Sequence, residues 1–465
     1  MAAFRAKKIK DGNILKIQDL SNENKLKGDI DVLGLVMTGS RLYGTQYELG
    51  ENPLDPNYVS DVDYRGVFIS DIFNYLRFKE NTNDTAQIID EEDEEYYSIL
   101  KFIRMAADNN PNIMDILFAP DDAVVYQTPA FKIIRDNKEK FITEGVKDKF
   151  AGYAESQLNR ILNHRRFLTQ YPYIHDIEES LKSAHKNKDI DFNWISHRFS
   201  GGLAKRVTGL SDSDDKPMHS NIDLEEFREK YGVDYDITPY LRPQVKDFMS
   251  FKSKNMIDMN EGDAIDMIKK LHTFGSYDKV SNNLIEIKRG GRGIFSVDGG
   301  LKNNSTGSGD ILAYAKINSE AYNAAKKANS NLWSWHVGRN EKRAILEKVY
   351  GYDTKHAMHL FRLLLGAKKI ILTGTYNPRL EGEDLKIVKK IREGRMDYHE
   401  VIDRSRKLKI EIGEIIKSGM HGIKNKKVDK DFVDDLIKEV YELHNKFKKE
   451  LTQKKKNIHK IKRGR

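Results

Sequence analysis

Runs of apolar residues at period two give way to runs at helical period along this chain, and the breaks between them outline its organisation. Val32–Thr38 is dominated by apolar residues and predicts a buried strand. Gly39-Ser40 interrupts it, and a helix opens through Arg41-Leu42-Tyr43-Gly44. Asn52–Tyr58 contains Pro53 and Pro56 and reads as a loop. Val62–Ile69 predicts a second strand, and Asp90–Glu95 is an unbroken run of acids. After it Ile99, Phe102, Ile103 and Ala106 recur at helical spacing. Asn109-Asn110-Pro111 ends that helix, because the residue before proline avoids the α region. From about 130 to 280 the pattern is mostly helical, with Ala154, Leu158, Ile161, Leu162 and Leu168 on one face and loops at Gly201-Gly202 and Ser211–Pro217. Lys288–Gly309 is rich in Gly, Asn and Ser, with strand-like pieces at Leu284–Ile287 and Ile294–Val297, which predicts a β-hairpin with a mobile loop. Helical patterning resumes at Asn340 and runs, with breaks, to Leu451.

The 465 residues correspond to two to four domains at roughly 100–200 residues each. An apolar share of 39%, with 22 Tyr and 20 Phe, is enough to build a core. The longest apolar runs, such as Ile370–Leu372 and Leu33–Met37, fall far short of the ~18 residues of a membrane span. Met1–Lys10 is basic but no apolar stretch follows, so no secretory signal is expected. The absence of cysteine excludes disulfides, thiolate zinc sites, iron–sulfur clusters and a thiol nucleophile, and fits a reducing cytoplasm. Formal charge is +8, yet Lys446–Arg465 alone holds ten Lys/Arg against one acid. The basic balance is therefore a property of the tail, where it favours a polyanionic partner through counterion release.

Three features near the N-terminus carry chemistry. Gly39-Ser40 follows a strand, where glycine lets the backbone approach a ligand and helix N-terminal N–H groups meet phosphate oxygens. Asp61-Val62-Asp63 stands at the head of a strand, so period two puts both carboxylates on one face, where they repel unless a cation lies between them. Mg²⁺, which takes carboxylate oxygens together with substrate phosphates, suits such a pair. A third carboxylate comes from the acidic run, and composition does not choose among Asp90 to Glu95. Each feature alone is common in ordinary turns and loops.

Taken in order, the three resemble the nucleotidyltransferases of the DNA polymerase β superfamily. Gly39-Ser40-Arg41-Leu42-Tyr43-Gly44-Thr45, Ser60-Asp61-Val62-Asp63-Tyr64-Arg65-Gly66-Val67, Lys101-Phe102 and Asn110-Pro111-Asn112 resemble one branch, a bacterial and phage family associated with RNA repair. Tyr352-Asp353-Thr354-Lys355-His356-Ala357-Met358-His359-Leu360-Phe361-Arg362-Leu363 and Ile391-Arg392-Glu393-Gly394 resemble its C-terminal portion. The resemblance implies an α+β fold with a small mixed-sheet catalytic core at 28–122, to which the patterning and charge add helices at 123–283, a Gly-rich hairpin insertion at 284–330, helices at 331–445 and a basic tail at 446–465. It implies Asp61, Asp63 and Asp93 as catalytic metal ligands, with Glu95 as the fallback for the third. Gly39, Ser40, Arg41, Lys101, Lys355, His359 and Arg362 become nucleotide contacts. Lys355, His359 and Arg362, at i, i+4 and i+7, share a helix face, and Arg339 and Arg343 extend it. Trp333, Trp335, Tyr350 and Tyr352 suit core packing better than base stacking. His356 and His359 are potential metal ligands, but no third partner has suitable local spacing, so zinc is not expected.

The expected activity is transfer of NMP from a nucleoside triphosphate to a hydroxyl with Mg²⁺ or Mn²⁺, releasing pyrophosphate in the cytoplasm of a bacterium or phage-infected cell. An RNA 3′ end, particularly of tRNA, is the favoured acceptor. A protein hydroxyl, or a catalytically silent nucleotide-binding or RNA-binding role, is the alternative.

Overall fold

A computed structural model describes residues 4–11, 14–19, 30–70, 85–89, 93–210, 222–253, 255, 258, 284–288, 295–296, 311–419 and 422–463. Among the described residues, seven strands build one mixed sheet: β1 (Phe4–Asp11), β2 (Ile14–Asp19), β3 (Asp31–Thr38), β4 (Asp63–Ile69), β5 (Thr85–Ile89), β6 (Asp93–Ser98) and β7 (Val124–Gln127). Their order is β2-β1-β5-β6-β4-β3-β7. Pairs β1–β5 and β4–β6 are parallel and the others antiparallel. β3 lies between β4 and β7 and is buried nearly throughout, which its continuous apolar run predicts. β4 differs along its length: Val67, Phe68 and Ile69 are buried, while Asp63, Tyr64 and Arg65 are half-buried. The polar head of β4 is thus the end of the sheet that meets the site.

β1 and β2 extend the sheet beyond the core expected to start at 28. The overlooked signal is the sequence Asp11-Gly12-Asn13 between two short alternating segments, a hairpin signature. The expected helix forms as Ile99–Ala107, with Ser98 Oγ accepting from the Lys101 backbone N–H. Its Ile99, Phe102 and Ile103 are fully buried, each contributing roughly 1.5–3 kcal/mol.

The chain divides into two compact units, residues 1–165 with 342–465, and residues 166–341. This differs from the five successive segments expected. The reason is that the helix Thr354–Thr373 buries Ala357, Leu360, Phe361, Leu364 and Ile371 in the same apolar cluster as Phe102, Phe131 and Phe150. A division read along the sequence does not register such distant packing. Helix Lys430–Arg463 adds Leu436 and Val440 to that cluster and continues through most of the expected tail, of which residues 464–465 lie outside the described residues. Its His444 and Lys448 reach the buried Asp31 at 3.0 and 2.7 Å.

The second unit has its own core, in which Trp194, Phe199 and Trp333 pack. It also holds a sheet in the order β10-β9-β11-β8, from β8 (Met249–Ser253), β9 (Leu284–Lys288), β10 (Phe295–Ser296) and β11 (Ile311–Ile317). The expected hairpin is present as the antiparallel β9–β10 pair, and most of its Gly-rich segment lies outside the described residues. Trp333 and Tyr352 are core residues of their respective units.

Candidate active site

The turn at the end of β3 brings the first two features together. Gly39 has φ +66°, and a Cβ there would overlap Asp63 Oδ2. Only glycine therefore fits both the backbone conformation and the approach of the carboxylate. The pairing of Thr38 with Asp63 in the β3–β4 ladder sets that approach, and Thr38 Oγ1 donates to the Asp63 carbonyl at 3.3 Å. Helix Gly39–Tyr43 ends at Gly44, whose φ of +75° is the left-handed cap that glycine supplies. Asp61 lies two residues ahead of β4, exposed in the approach to it.

The parallel pairing of β4 with β6 brings a further acid beside Asp63. Asp63 stands opposite Asp93, and Arg65 opposite Glu95. Strand alternation turns Asp93, Glu95 and Tyr97 to one face and Glu94 and Tyr96 to the other, where Tyr96 is buried. Arg65 lies between the two outer acids, with Nη2 3.6 Å from Asp93 Oδ2 and Nε 3.3 Å from Glu95 Oε2. Burial raises the pKa of Asp63; Arg65 and Lys355 oppose that rise, and Asp93 and Asp61 add to it. Like charges crowd Asp63 here, and a divalent cation between the carboxylates would relieve that crowding.

These acids line a cleft of about 530 Å³ within the first unit. Gly39, Ser40, Asp61, Asp63, Asp93, Lys355, His359 and Arg362 all face it, so eight of the residues singled out in the sequence share one cavity. Lys355 is held below the ordinary lysine value by burial and then by Arg343, with Asp63 opposing. Burial, and then Arg362 and Lys355, push His359 well below the ordinary imidazole value, so its ring is neutral. Arg362 is committed internally: Nη1 donates to both oxygens of the buried Asp115, at 3.1 and 2.8 Å, and the guanidinium lies 4.1 Å from the Tyr43 ring centroid. Tyr43 and Tyr376 also donate to Asp115.

Two expected contacts lie elsewhere. Lys101 is absent from the cleft lining; its ammonium donates to Thr85 Oγ1. Arg41 also points away, donating to Glu48 Oε1 at 3.4 Å and the Ser60 carbonyl at 3.3 Å. Both follow from geometry that a motif does not encode, since neighbours on a five-residue helix or at a helix start diverge by about 100° per residue. Residues not singled out as contacts also reach the cleft: Arg392, Arg160, Tyr58, Tyr153 and Gln157. Arg392 donates through Nη2 to Ser60 Oγ at 2.9 Å and lies over the Tyr47 ring. Its Ile-Arg-Glu-Gly motif was the available signal.

Comparison with known proteins bears on the same region. Residues 13–177 match the family model described as RlaP, the RNA repair pathway DNA polymerase beta family. A protein of Enterobacteria phage T4, described as an uncharacterized 38.9 kDa protein in the nrdC-mobD intergenic region, is 27% identical over 184 residues. The alignment covers 37% of this chain and 49% of that protein, so the chain spans about half the length of the curated relative it matches. No solved structure matches. Over residues 13–177 the chain is thus similar to a polymerase-β-like nucleotidyltransferase family, the one that its Gly-Ser and Asp-Val-Asp motifs resemble.

Proposed function

We propose that the protein transfers NMP from a nucleoside triphosphate to a hydroxyl group, with an RNA 3′ end, as in a damaged tRNA, as acceptor. The observation that carries the reading is the register of β4 against β6, with Asp93 opposite Asp63 beside the Gly39-Ser40 corner. Asp61, Asp63 and Asp93 offer oxygen donors only, which fits a hard cation such as Mg²⁺ or Mn²⁺. When bound, such ions would neutralise triphosphate charge and lower the pKa of the attacking hydroxyl.

The chain's own residues do the rest. The backbone of the Gly39-Ser40 turn and the Ser40 hydroxyl hold the β- and γ-phosphates. Lys355 and the neutral His359 approach the phosphates from the facing helix. Arg362, oriented by Asp115, Tyr43 and Tyr376, lends a fixed positive charge to that wall. Asp93 accepts the proton of the acceptor hydroxyl as its oxygen attacks the α-phosphorus, and the bond to pyrophosphate breaks. Catalysis rests on positioning and charge neutralisation. The description of the matching family supports RNA as the acceptor, and the basic end of the chain supports a polyanion.

The test is incubation with each α-labelled NTP, Mg²⁺ and total RNA, resolved on a denaturing gel. Label at RNA mobility that disappears with Asp61→Asn supports the reading. Label on protein supports a protein hydroxyl as acceptor, and NTP binding without label supports a silent fold.

A further inference from the structure

The second unit holds a cavity of about 770 Å³ whose lining shares no residue with the cleft of the three acids. Its walls come from helix Phe192–Arg198, the segment 238–248 and helix Ser319–Gly338, with Tyr171 and Leu224 completing them. Two kinds of surface line it. Arg198, Arg242 and His197 make a cationic edge, and Tyr171 and Phe248 make an aromatic one. Asp247 is the only acid among the described lining residues, and its Oδ2 accepts from the Gln244 backbone N–H at 3.3 Å.

The cationic edge is preorganised but unsatisfied. The Arg198 guanidinium lies 4.3 Å from the ring centroid of the buried Trp194, and among the described residues it forms no ion pair and no side-chain hydrogen bond. Burial holds its pKa below the ordinary arginine value, and the charges of Asp223 and Asp191 oppose that shift. Both acids serve as helix caps: Asp191 Oδ1 accepts from the Trp194 backbone N–H at 2.7 Å, and Asp223 Oδ1 from that of Glu226 at 2.9 Å. A half-buried guanidinium without an acceptor offers charge-assisted donors that an anion would complete. Arg242 is fixed beside it. Its backbone N–H donates to the Arg198 carbonyl at 2.7 Å, and its Nη1 to the Ser196 carbonyl at 2.9 Å. The residues just before it are tied to the facing helix, where Asn329 Nδ2 donates to the carbonyls of Tyr240 and Leu241 at 3.1 and 3.0 Å. Little ordering is therefore left for a ligand to impose.

We propose that this cavity binds a nucleotide segment of single-stranded RNA, with Arg198 and Arg242 on the phosphodiester and a base against Tyr171 and Phe248. Planar guanidinium forks match phosphate oxygens, and aromatic faces stack bases of any sequence. A volume within the roughly 300–1,000 Å³ of ligand pockets is ample for a nucleotide. A small inorganic anion would use the arginines alone, whereas an RNA strand uses both kinds of wall. The inference rests on the reading of RNA as the acceptor, and it gives the second unit a part in holding that strand. The motifs near the N-terminus did not reveal the cavity, because Tyr171, Arg198, Arg242 and Phe248 belong to four separate stretches of the chain.

The test is fluorescence anisotropy of a labelled oligouridylate titrated with the full chain in EDTA, at several salt concentrations. Arg198→Gln should weaken binding about tenfold and lower the slope of log K against log salt by about 0.7, the single-strand value for one phosphate contact. Arg242→Gln, at an exposed residue, should do the same without burdening the fold. Lys186→Gln is the charge control, exposed at the end of helix Ile174–Lys186 and outside the lining, and should leave affinity and slope unchanged. Affinity and slope unchanged in both arginine variants overturn the proposal, as does an equal loss in Lys186→Gln. UMP that binds through Arg198 when the oligonucleotide does not would assign the cavity to free nucleotides and likewise overturn it. None of these readouts involves NMP transfer, so failure here is distinguishable from failure of the transfer reaction.

Discussion

Replacing Gly39 by alanine should abolish most transfer while leaving the protein folded. The backbone there has φ +66°, which costs a non-glycine residue about 1–2 kcal/mol. The added Cβ would also overlap Asp63 Oδ2, so the carboxylate has to turn away from Asp93 and Asp61. A displacement of ~1 Å at a reacting centre costs roughly 100-fold in rate. The expected outcome is a loss of about 1–2 kcal/mol in urea unfolding together with a fall in NMP transfer of roughly that factor. Gly209→Ala separates the two effects. Gly209 has φ +71° at a helix C-cap and nothing within 4 Å of the added atom. It should show a similar stability loss with wild-type transfer. Full activity in the Gly39 variant, or equal loss of activity in both, would refute the argument from carboxylate placement.

Four further outcomes follow from the packing and charges described above. Asp63, whose folded pKa is raised, binds its proton more tightly folded than unfolded; its stability contribution is present at low pH and falls as pH rises above 3.8. Asp63→Asn should therefore raise the melting temperature of EDTA-treated protein at neutral pH while ending transfer, and an unchanged or lower value counts against charge strain at the site. Asp115→Ala strands Arg362 in the core and should cost about 3–5 kcal/mol in denaturant unfolding, whereas a loss under 1 kcal/mol would show the network to be dispensable. Burial alone would raise the Glu178 pKa, but His336, Lys182 and Arg206 hold it well below 4.5; its contribution is present above 4.5 and is lost as pH falls. Urea midpoints measured between roughly pH 5 and pH 2 should fall less steeply in Glu178→Gln. Deleting 454–465 removes seven Lys/Arg while keeping the Asp31 contacts of His444 and Lys448, and should flatten the salt dependence of RNA binding; an unchanged slope would exclude those charges.

The legible parts of the chain are those where one local rule decides. β3 reads directly from its apolar run, and Gly39 from its break between strand and helix. Helix Ile99–Ala107 reads from its spacing, and the hairpin from two strand-like pieces around a Gly-rich stretch. The third carboxylate was not readable from composition, because six consecutive acids differ only in which face they present and how far along the strand they fall. The β4–β6 register, which no local rule encodes, sets Asp93 against Asp63 and Glu95 against Arg65. Lys355, His359 and Arg362 were legible as a helix face, but the burial of Arg362 against Asp115 depends on a residue far along the chain. The same limit hid the packing of the C-terminal helices with the N-terminal sheet in one unit.

The proposed transfer requires Asp61, Asp63 and Asp93 to hold divalent ions jointly beside the Gly39-Ser40 corner. The most direct measurement is anomalous diffraction from crystals grown with Mn²⁺ and a non-hydrolysable nucleoside triphosphate. Manganese peaks coordinated by those three carboxylates, with the triphosphate directed toward Ser40, are the expected result. Manganese bound elsewhere, or a triphosphate seated away from β4 and β6, would contradict it.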